Sequence, residues 1–173
     1  AKNNNFALRY ESVRRYNPDF LIILMFRDPL SHAASLLQKH KEFSAMQQED
    51  PFVLEYMDWL GHHEFGDHHK PFQFAEASRS YPSDKFSLDY WLTVWINYYS
   101  YILTLESSKI LLVDYEFYCE HPEELLDSIY KKLGIESEIP QLTPFVNQRK
   151  TELDCAEVLR AEAYGIFERL KES

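Results

Sequence analysis

The stretch FLIILMFRDPLSHAASLLQKH, residues 20–40, changes character at Arg27, where seven consecutive apolar residues meet a charge. An apolar run of that length between turn signals is typical of a β-strand buried on both faces. Asp28 suits the N-cap of a helix, and Pro29 suits the first helical position because proline loses no hydrogen bond there. The stretch therefore predicts a buried strand followed by a helix that ends near His40.

The rest of the chain repeats this alternation of strand and helix signals. A second apolar run, over residues 109–115, predicts another buried strand. Helices are predicted over residues 6–16, 29–40, 51–60, 86–106, 122–133 and 151–170, with an irregular loop before the fourth. The Trp and Tyr side chains of the 86–106 helix either fill the core or line an acceptor pocket. This order predicts an α/β fold, with a P-loop-like parallel sheet flanked by helices and incomplete at its N-terminus.

Composition limits the class of protein and of partner. The chain has 173 residues, 45% of them hydrophobic, which predicts one globular domain over residues 1–173. A formal charge of −10 excludes a broad nucleic-acid or anionic-membrane surface, because phosphates are bound by many Lys and Arg together. No apolar run is long enough to span a membrane. Cys119 and Cys155 lack the spacing of a zinc or disulfide framework, and we expect a cytoplasmic protein with reduced thiols.

Arg27 lies where ligands bind in open α/β folds, at the carboxyl end of a strand. The amides at a helix start favour negative charge, and an arginine beside them adds a full positive charge, so the pair suits a phosphate. Ser31 and Ser35 are four residues apart on one helix face, so a hydroxyl can join the arginine on the same anion. The alternative from these residues alone is an arginine that only pairs with an acidic neighbour.

Two segments of the chain resemble one enzyme family. LMFRDPLSHAAS resembles the 3′-phosphate-binding element of sulfotransferases that use 3′-phosphoadenylyl sulfate (PAPS), in which a Ser follows the Arg by eight positions, as Ser35 follows Arg27. KILLVDYEFYCEHPEELLDSIYKKLGI is similar to a later family stretch, where a strand ends in Tyr-Glu and a helix closes at Leu-Gly. The helix WLTVWINYYSYIL also resembles its family counterpart. The resemblance covers nearly the whole chain from about residue 8.

The resemblance implies a nucleotide-binding transferase that moves a sulfuryl group from PAPS to a hydroxyl or amine. The acceptor would be a small molecule or a glycan, and no metal would be required. Arg27 would bind the donor's 3′-phosphate and Ser35 would add a hydroxyl donor. Arg149 and Lys150 resemble basic residues that many members bring to the nucleotide, although a solvated basic pair is the alternative.

One family element does not occur in this sequence. Family members carry a Gly-containing loop before the matched strand, and this loop wraps the donor's 5′-phosphosulfate. No such loop precedes the first predicted strand here. We therefore expect the chain to be the C-terminal part of a sulfotransferase, without the first strand and the phosphosulfate loop.

The stretch GHHEFGDHHK concentrates four of the seven histidines. His62, His63 and Glu64 are candidates for the base that deprotonates an acceptor hydroxyl, because histidine titrates near neutral pH. Adjacent histidines point apart on a helix or strand, unlike the i, i+4 pair of a helical zinc site. A polar surface loop, an acceptor site and a metal site are the three interpretations, and we expect no metal.

Two rival functions follow from other features. The strand ILLVD ends in an aspartate, Asp114. In nucleoside triphosphatases and kinases, an aspartate at the end of an apolar strand holds Mg²⁺ through water. The sequence contains no G-x-x-x-x-G-K-[ST] loop to go with it. The absence of a phosphate loop also suits a non-catalytic domain of the same fold that binds a nucleotide or a protein partner without turnover.

Overall fold

The structure is a computed structural model that describes residues 6–74, 78–105, 107–145 and 154–173. Seven α-helices and a two-stranded parallel sheet lie in these ranges. They are α1 (Phe6–Tyr16), β1 (Ile22–Phe26), α2 (Pro29–Glu49), α3 (Pro51–Leu60), α4 (Leu88–Ile102), β2 (Ile110–Asp114), α5 (Tyr115–Glu120), α6 (Pro122–Leu133) and α7 (Glu157–Lys171). The mixed α/β class is confirmed, whereas the P-loop-like sheet stays a prediction.

The chain divides into two compact units. The first comprises Ala1–Asp28, Glu106–Lys150 and Leu170–Ser173, and the second comprises Pro29–Leu105 and Thr151–Arg169. The first unit therefore holds the sheet with α1, α5 and α6. The second holds α2, α3, α4 and nearly all of α7. The expectation of a single domain over residues 1–173 stays a prediction.

The two strands of the first unit pair in parallel. Ile22 lies opposite Ile110, and Phe26 lies opposite Asp114. Because parallel strands run in the same direction, their carboxyl ends meet at one edge of the sheet. The residues that follow the strands, Arg27 after β1 and Tyr115 after β2, are thereby brought to the same edge.

The burial predicted for the first strand is wrong for one of its faces. Leu24 and Phe26 are buried, but Ile23 and Met25, which alternate with them, are 52% and 47% exposed. Successive strand side chains point to opposite faces, so β1 has one covered face and one open face. An unbroken apolar run identifies a strand but does not say which of its faces another element covers.

Two helices differ from the sequence prediction. The second predicted helix was expected to end near His40, but α2 continues to Glu49, because no glycine or proline interrupts residues 41–49. The short helix α5 was not predicted. It begins directly after β2, where Asp114 Oδ1 accepts hydrogen bonds from the amides of Glu116 and Phe117. An N-cap aspartate of this kind stabilises even a short helix.

The remaining predicted helices are confirmed, although α7 begins at Glu157 and the described residues 154–156 before it are not helical. α3 begins after Asp50, whose side chain accepts from the Phe52 amide, and it ends at Gly61 in the left-handed conformation at φ 70°. The predicted start of the last helix includes residues 151–153, which lie outside the described residues. The buried apolar residues of α7 include Leu159, Ala163, Phe167 and Leu170.

The core of the second unit is built around α4, which packs against α2. Ser87 caps α4 by accepting from the Tyr90 amide. Trp91 and Trp95 are each 1% exposed, and the Trp95 ring centroid lies 4.5 Å from that of Tyr99. Of the two roles considered for these aromatic side chains, core packing is the one that their burial supports.

We expect Trp95→Ala to destabilise the second unit by about 3–5 kcal/mol, because a large buried side chain leaves a cavity. Urea unfolding followed by circular dichroism measures the loss. The matched control is Trp59→Ala, since that tryptophan is exposed on α3, and its effect should stay within about 0.5 kcal/mol. Equal losses from the two substitutions would contradict the placement of Trp95 in the core.

Candidate functional site

Arg27 lies at the sheet edge of the first unit and contacts the residue that follows the other strand. Its guanidinium carbon lies 5.0 Å from the centroid of the Tyr115 ring, a cation–π contact. Its Nε is buried and has no hydrogen-bond partner within the described ranges. A buried donor without a partner is unfavourable by about 1–3 kcal/mol. The Tyr115 ring therefore orients the Arg27 side chain, and its Nε–H remains able to donate a hydrogen bond to a ligand.

Glu116 contributes a carboxylate to this edge. Its Oε2 accepts a hydrogen bond from the Asp28 amide over 3.0 Å, which ties the residue after Arg27 to the start of α5. Burial raises the pKa of the Glu116 carboxyl, and the charge of Asp114 adds to the rise. The Asp28 hydrogen bond and the charge of Arg27 lower that pKa and offset part of the rise. The edge thus combines the Arg27 cation, the carboxylates of Glu116 and Asp114, and the engaged Asp28 amide.

Asp114, the residue considered for magnesium, has a local role in this structure. Its Oδ1 accepts the Glu116 amide over 2.9 Å and the Phe117 amide over 3.2 Å. These are the N-cap bonds of α5 described above. The residue's use as a magnesium-associated carboxylate stays a prediction.

Of the other residues predicted to bind the donor, the structure describes only Ser35. Ser35 belongs to the second unit, where its hydroxyl donates to the Ser31 carbonyl over 2.9 Å within α2. The serine pair therefore does share a helix face, but the hydroxyl hydrogen is used inside the helix. Arg149 and Lys150 lie outside the described residues.

The predicted base candidates belong to the second unit and lie in the loop after α3. His62 Nδ1 lies 3.3 Å from a Glu64 oxygen, and both side chains are about half exposed. His63 Nδ1 lies 3.5 Å from Asp58 Oδ1, whose other oxygen lies 2.7 Å from His68 Nδ1. The three candidates thus lie in a polar loop, each histidine beside a carboxylate, and their catalytic role stays a prediction.

The same loop is fixed to α2 by buried polar groups that the sequence analysis did not single out. The Gly66 amide donates to His40 Nδ1 over 3.2 Å, and the Asp67 amide donates to Gln47 Oε1 over 2.8 Å. Gly66 has a φ of 83°, and a Cβ there would lie 2.3 Å from the Gln47 oxygen. Glycine is therefore required where the loop approaches α2 most closely.

His69 is the loop histidine that enters the core. Its Nδ1 lies 3.1 Å from the His63 carbonyl, which can only accept, so Nδ1 carries the proton. Its Nε2 therefore accepts from the Tyr90 hydroxyl over 3.0 Å. Burial lowers the pKa of His69 to about 4, so the ring is neutral near pH 7.

His40 is a second buried histidine beside His69, and the two ring centroids lie 5.6 Å apart. Because His40 Nδ1 accepts from Gly66, its proton lies on Nε2, which has no hydrogen-bond partner in the part of the chain that the structure describes. Burial lowers the pKa of His40, and the charge of Lys85 lowers it further, against the opposite effect of Asp67. Both histidines are therefore structural, neutral groups of the core.

A sequence signal for this anchoring does exist. His40, Ser44 and Gln47 recur at intervals of four and three on α2, and all three are buried. That spacing is the apolar-face pattern of a helix, here carried by polar residues. Buried polar residues at this spacing indicate that the segment packed against the helix supplies backbone hydrogen-bond donors. Here the loop that contains Gly66 supplies such donors to His40 and Gln47.

The first unit also has an open cleft of about 250 Å³ beside Tyr115. It is lined mainly by Tyr118, Cys119, Leu142 and Phe145. The Phe145 amide donates to the Cys119 carbonyl over 2.8 Å, which holds the chain segment against α5. The cleft is smaller than the roughly 300–1,000 Å³ of most small-molecule sites.

Comparison of the chain with protein-family models, with curated proteins and with solved structures finds no match. Within the described ranges, no three or more His, Cys, Asp or Glu side chains converge as metal ligands would. No helix in those ranges is both long and apolar enough to cross a membrane.

We expect the free energy of unfolding to fall as the pH falls from 6.5 to about 4. His69 takes up a proton in the unfolded chain near pH 6.5 but in the folded chain only near pH 4, so acid favours the unfolded state. The loss from His69 is on the order of 3 kcal/mol, and His40 acts in the same direction. Urea unfolding at a series of pH values measures it.

Two variants test whether His69 causes the loss of unfolding free energy in acid. His69→Gln keeps one donor and one acceptor, and it should flatten the loss between pH 6.5 and 4 while lowering stability at pH 7. His62→Gln, at a half-exposed loop position, should keep the wild-type pH profile. If His69→Gln loses as much unfolding free energy between pH 6.5 and 4 as the wild type does, groups other than His69 cause the loss.

Proposed function

We propose that this chain is part of a PAPS-dependent sulfotransferase, in which Arg27 binds the 3′-phosphate of the donor. The reaction would transfer a sulfuryl group to a hydroxyl or amine of a small molecule or glycan. The other site residues of the proposal, Ser35, Arg149 and Lys150, rest on the family resemblance.

The single observation that carries the proposal is the state of the Arg27 side chain. The guanidinium is oriented by the Tyr115 ring, and its buried Nε–H has no hydrogen-bond partner in the described ranges. A phosphate oxygen accepts charge-assisted hydrogen bonds from a guanidinium, and such bonds are stronger than those to neutral acceptors. A site that holds an arginine in this way suits an anionic ligand that completes its hydrogen bonding.

A bound anion at this edge would compete with the Glu116 carboxylate for the positive charge of Arg27. That carboxylate already accepts the Asp28 amide, the backbone donor nearest to Arg27 in sequence. Two anions beside one arginine repel each other, so a bound phosphate favours the protonated or the displaced form of Glu116. Burial has already raised the pKa of this carboxyl, which makes its protonation less unfavourable. On this proposal, the donor therefore binds more tightly when the Glu116 carboxyl is protonated than when it is charged.

The direct test is calorimetric titration with adenosine 3′,5′-bisphosphate, with and without Mg²⁺. We expect binding that does not depend on the metal and that Arg27→Ala weakens by roughly 10- to 100-fold, because a hydrogen bond to a charged group contributes about 1.5–3 kcal/mol. A Mg²⁺ requirement would favour the kinase-type alternative, since a kinase uses the ion to bridge phosphates.

The matched control is Arg9→Ala, which removes an exposed arginine of α1 and the same amount of charge. Its affinity for the bisphosphate should equal that of the wild type. If both arginine variants bind the bisphosphate as the wild type does, the 3′-phosphate role of Arg27 is wrong. Circular dichroism of each variant verifies that the fold is retained.

Glu116→Gln should bind the bisphosphate more tightly at pH 7, by roughly tenfold, because a like charge near the ligand is removed at an interaction energy of about 1.4 kcal/mol. The wild type should approach the affinity of the variant as the pH is lowered and Glu116 takes up a proton. Titrations at several pH values measure both effects. Weaker binding by the variant would instead indicate that the carboxylate orients the ligand.

A further inference from the structure

α3 carries apolar side chains on both of its faces. Met57 is buried and Val53 and Leu54 are partly buried, as expected for a helix that packs against α2. The opposite face carries four large apolar residues that are about half exposed or more, namely Phe52 (55%), Tyr56 (49%), Trp59 (71%) and Leu60 (54%). A helix that is apolar all round is normally buried all round. We call this exposed face the α3 aromatic face.

The rings of the α3 aromatic face form a continuous surface. The ring centroids of Phe52 and Tyr56 are 5.8 Å apart and stacked, and those of Phe52 and Trp59 are 6.0 Å apart and edge to face. The helix has ten residues, so the surface is about 15 Å long. Contiguous apolar patches of this kind mark interaction sites on soluble proteins, and Trp and Tyr are prominent among interface hot spots.

The sequence around α3 is rich in acidic residues. Between Lys41 and Lys70 it contains seven acidic residues and no lysine or arginine. Glu55 lies between Phe52 and Trp59 in sequence and is itself exposed on the same side of α3. Asp58 and Glu64 contact histidines rather than lysine or arginine. A partner for this surface must therefore contact the aromatic rings and the exposed carboxylate of Glu55 together.

We propose that the α3 aromatic face binds an arginine-bearing amphipathic segment of another protein. Arginine matches both features of the surface, because its guanidinium stacks on aromatic rings and pairs with a carboxylate such as that of Glu55 through a planar fork of donors. The apolar residues of the segment cover Phe52 and Leu60. Because the surface belongs to α3 of the second unit, this interaction does not depend on the proposed anion site at Arg27.

Calorimetric titration of the whole chain with a short synthetic peptide, arginine on one face and leucine on the other, tests the proposal. We expect micromolar binding that weakens as salt is added, because part of the attraction is electrostatic. Trp59→Ala should weaken it at least tenfold, and Glu55→Gln should weaken it several-fold. The same peptide with glutamate in place of arginine should not bind.

Matched controls separate this site from the general attraction of an acidic protein for a basic peptide. Tyr16→Ala removes another exposed aromatic residue, on α1, and Glu136→Gln removes another exposed acid after α6. Neither variant should change the affinity. Circular dichroism and urea unfolding of Trp59→Ala establish that its fold is intact, and Glu55→Gln provides an independent readout.

Each of several outcomes would overturn the proposal. The first is undetectable binding of the arginine peptide, and the second is equal binding of the glutamate peptide. Equal losses from Glu55→Gln and Glu136→Gln would mean a non-specific charge effect. Concentration-dependent association of the chain that Trp59→Ala abolishes, without peptide binding, would make a second copy the occupant. Binding to phosphatidylcholine vesicles in place of the peptide would make it a lipid surface.

Discussion

The parallel pairing of β1 and β2 is the constraint on which the sheet edge with Arg27 depends. Because Phe26 lies opposite Asp114, the residues that follow each strand emerge side by side, although they are far apart in sequence. Arg27 is thereby stacked on Tyr115, and the Asp28 amide reaches Glu116. A shift of one residue in the register would turn every side chain of one strand to the other face. The contacts of Arg27 with Tyr115 and of Asp28 with Glu116 thus depend on the pairing of two distant strands and not on one local motif.

Glu116 places a negative charge near Arg27 at this edge. Arg27 is partly buried, and a nearby carboxylate that accepts a backbone amide offsets part of the cost of removing its charge from water. The same carboxylate is a group that an incoming anion must neutralise or displace. The fold can therefore hold the arginine ready for a ligand while remaining stable without one. Comparable balances of cation and carboxylate occur where proteins shift pKa values for function.

The sequence predicted the positions of the elements well because their boundaries are marked by local chemistry. Asp50 and Gly61 at the two ends of α3 and Ser87 at the start of α4 are such markers. It predicted less well the features that depend on distant residues. Nothing local to β1 indicates that Ile23 and Met25 face away from the core. The continuation of α2 after His40 did have a local signal, the absence of glycine and proline from residues 41–49, which the prediction did not use. For the site, Arg27 was identified from its position at a strand end, whereas its contact with Tyr115 required the pairing of the strands.

The buried polar face of α2 also has a consequence for how the chain folds. His40 and Gln47 bind a loop that lies only about twenty to thirty residues further along, so these contacts of the second unit are short in sequence. The contacts between β1 and β2 must instead close across the whole segment that separates the two strands, and such closure is slow. We expect helical structure in the second unit to form early and the strand pair to form late. The edge that carries Arg27 would then be among the last parts of the molecule to assemble during folding.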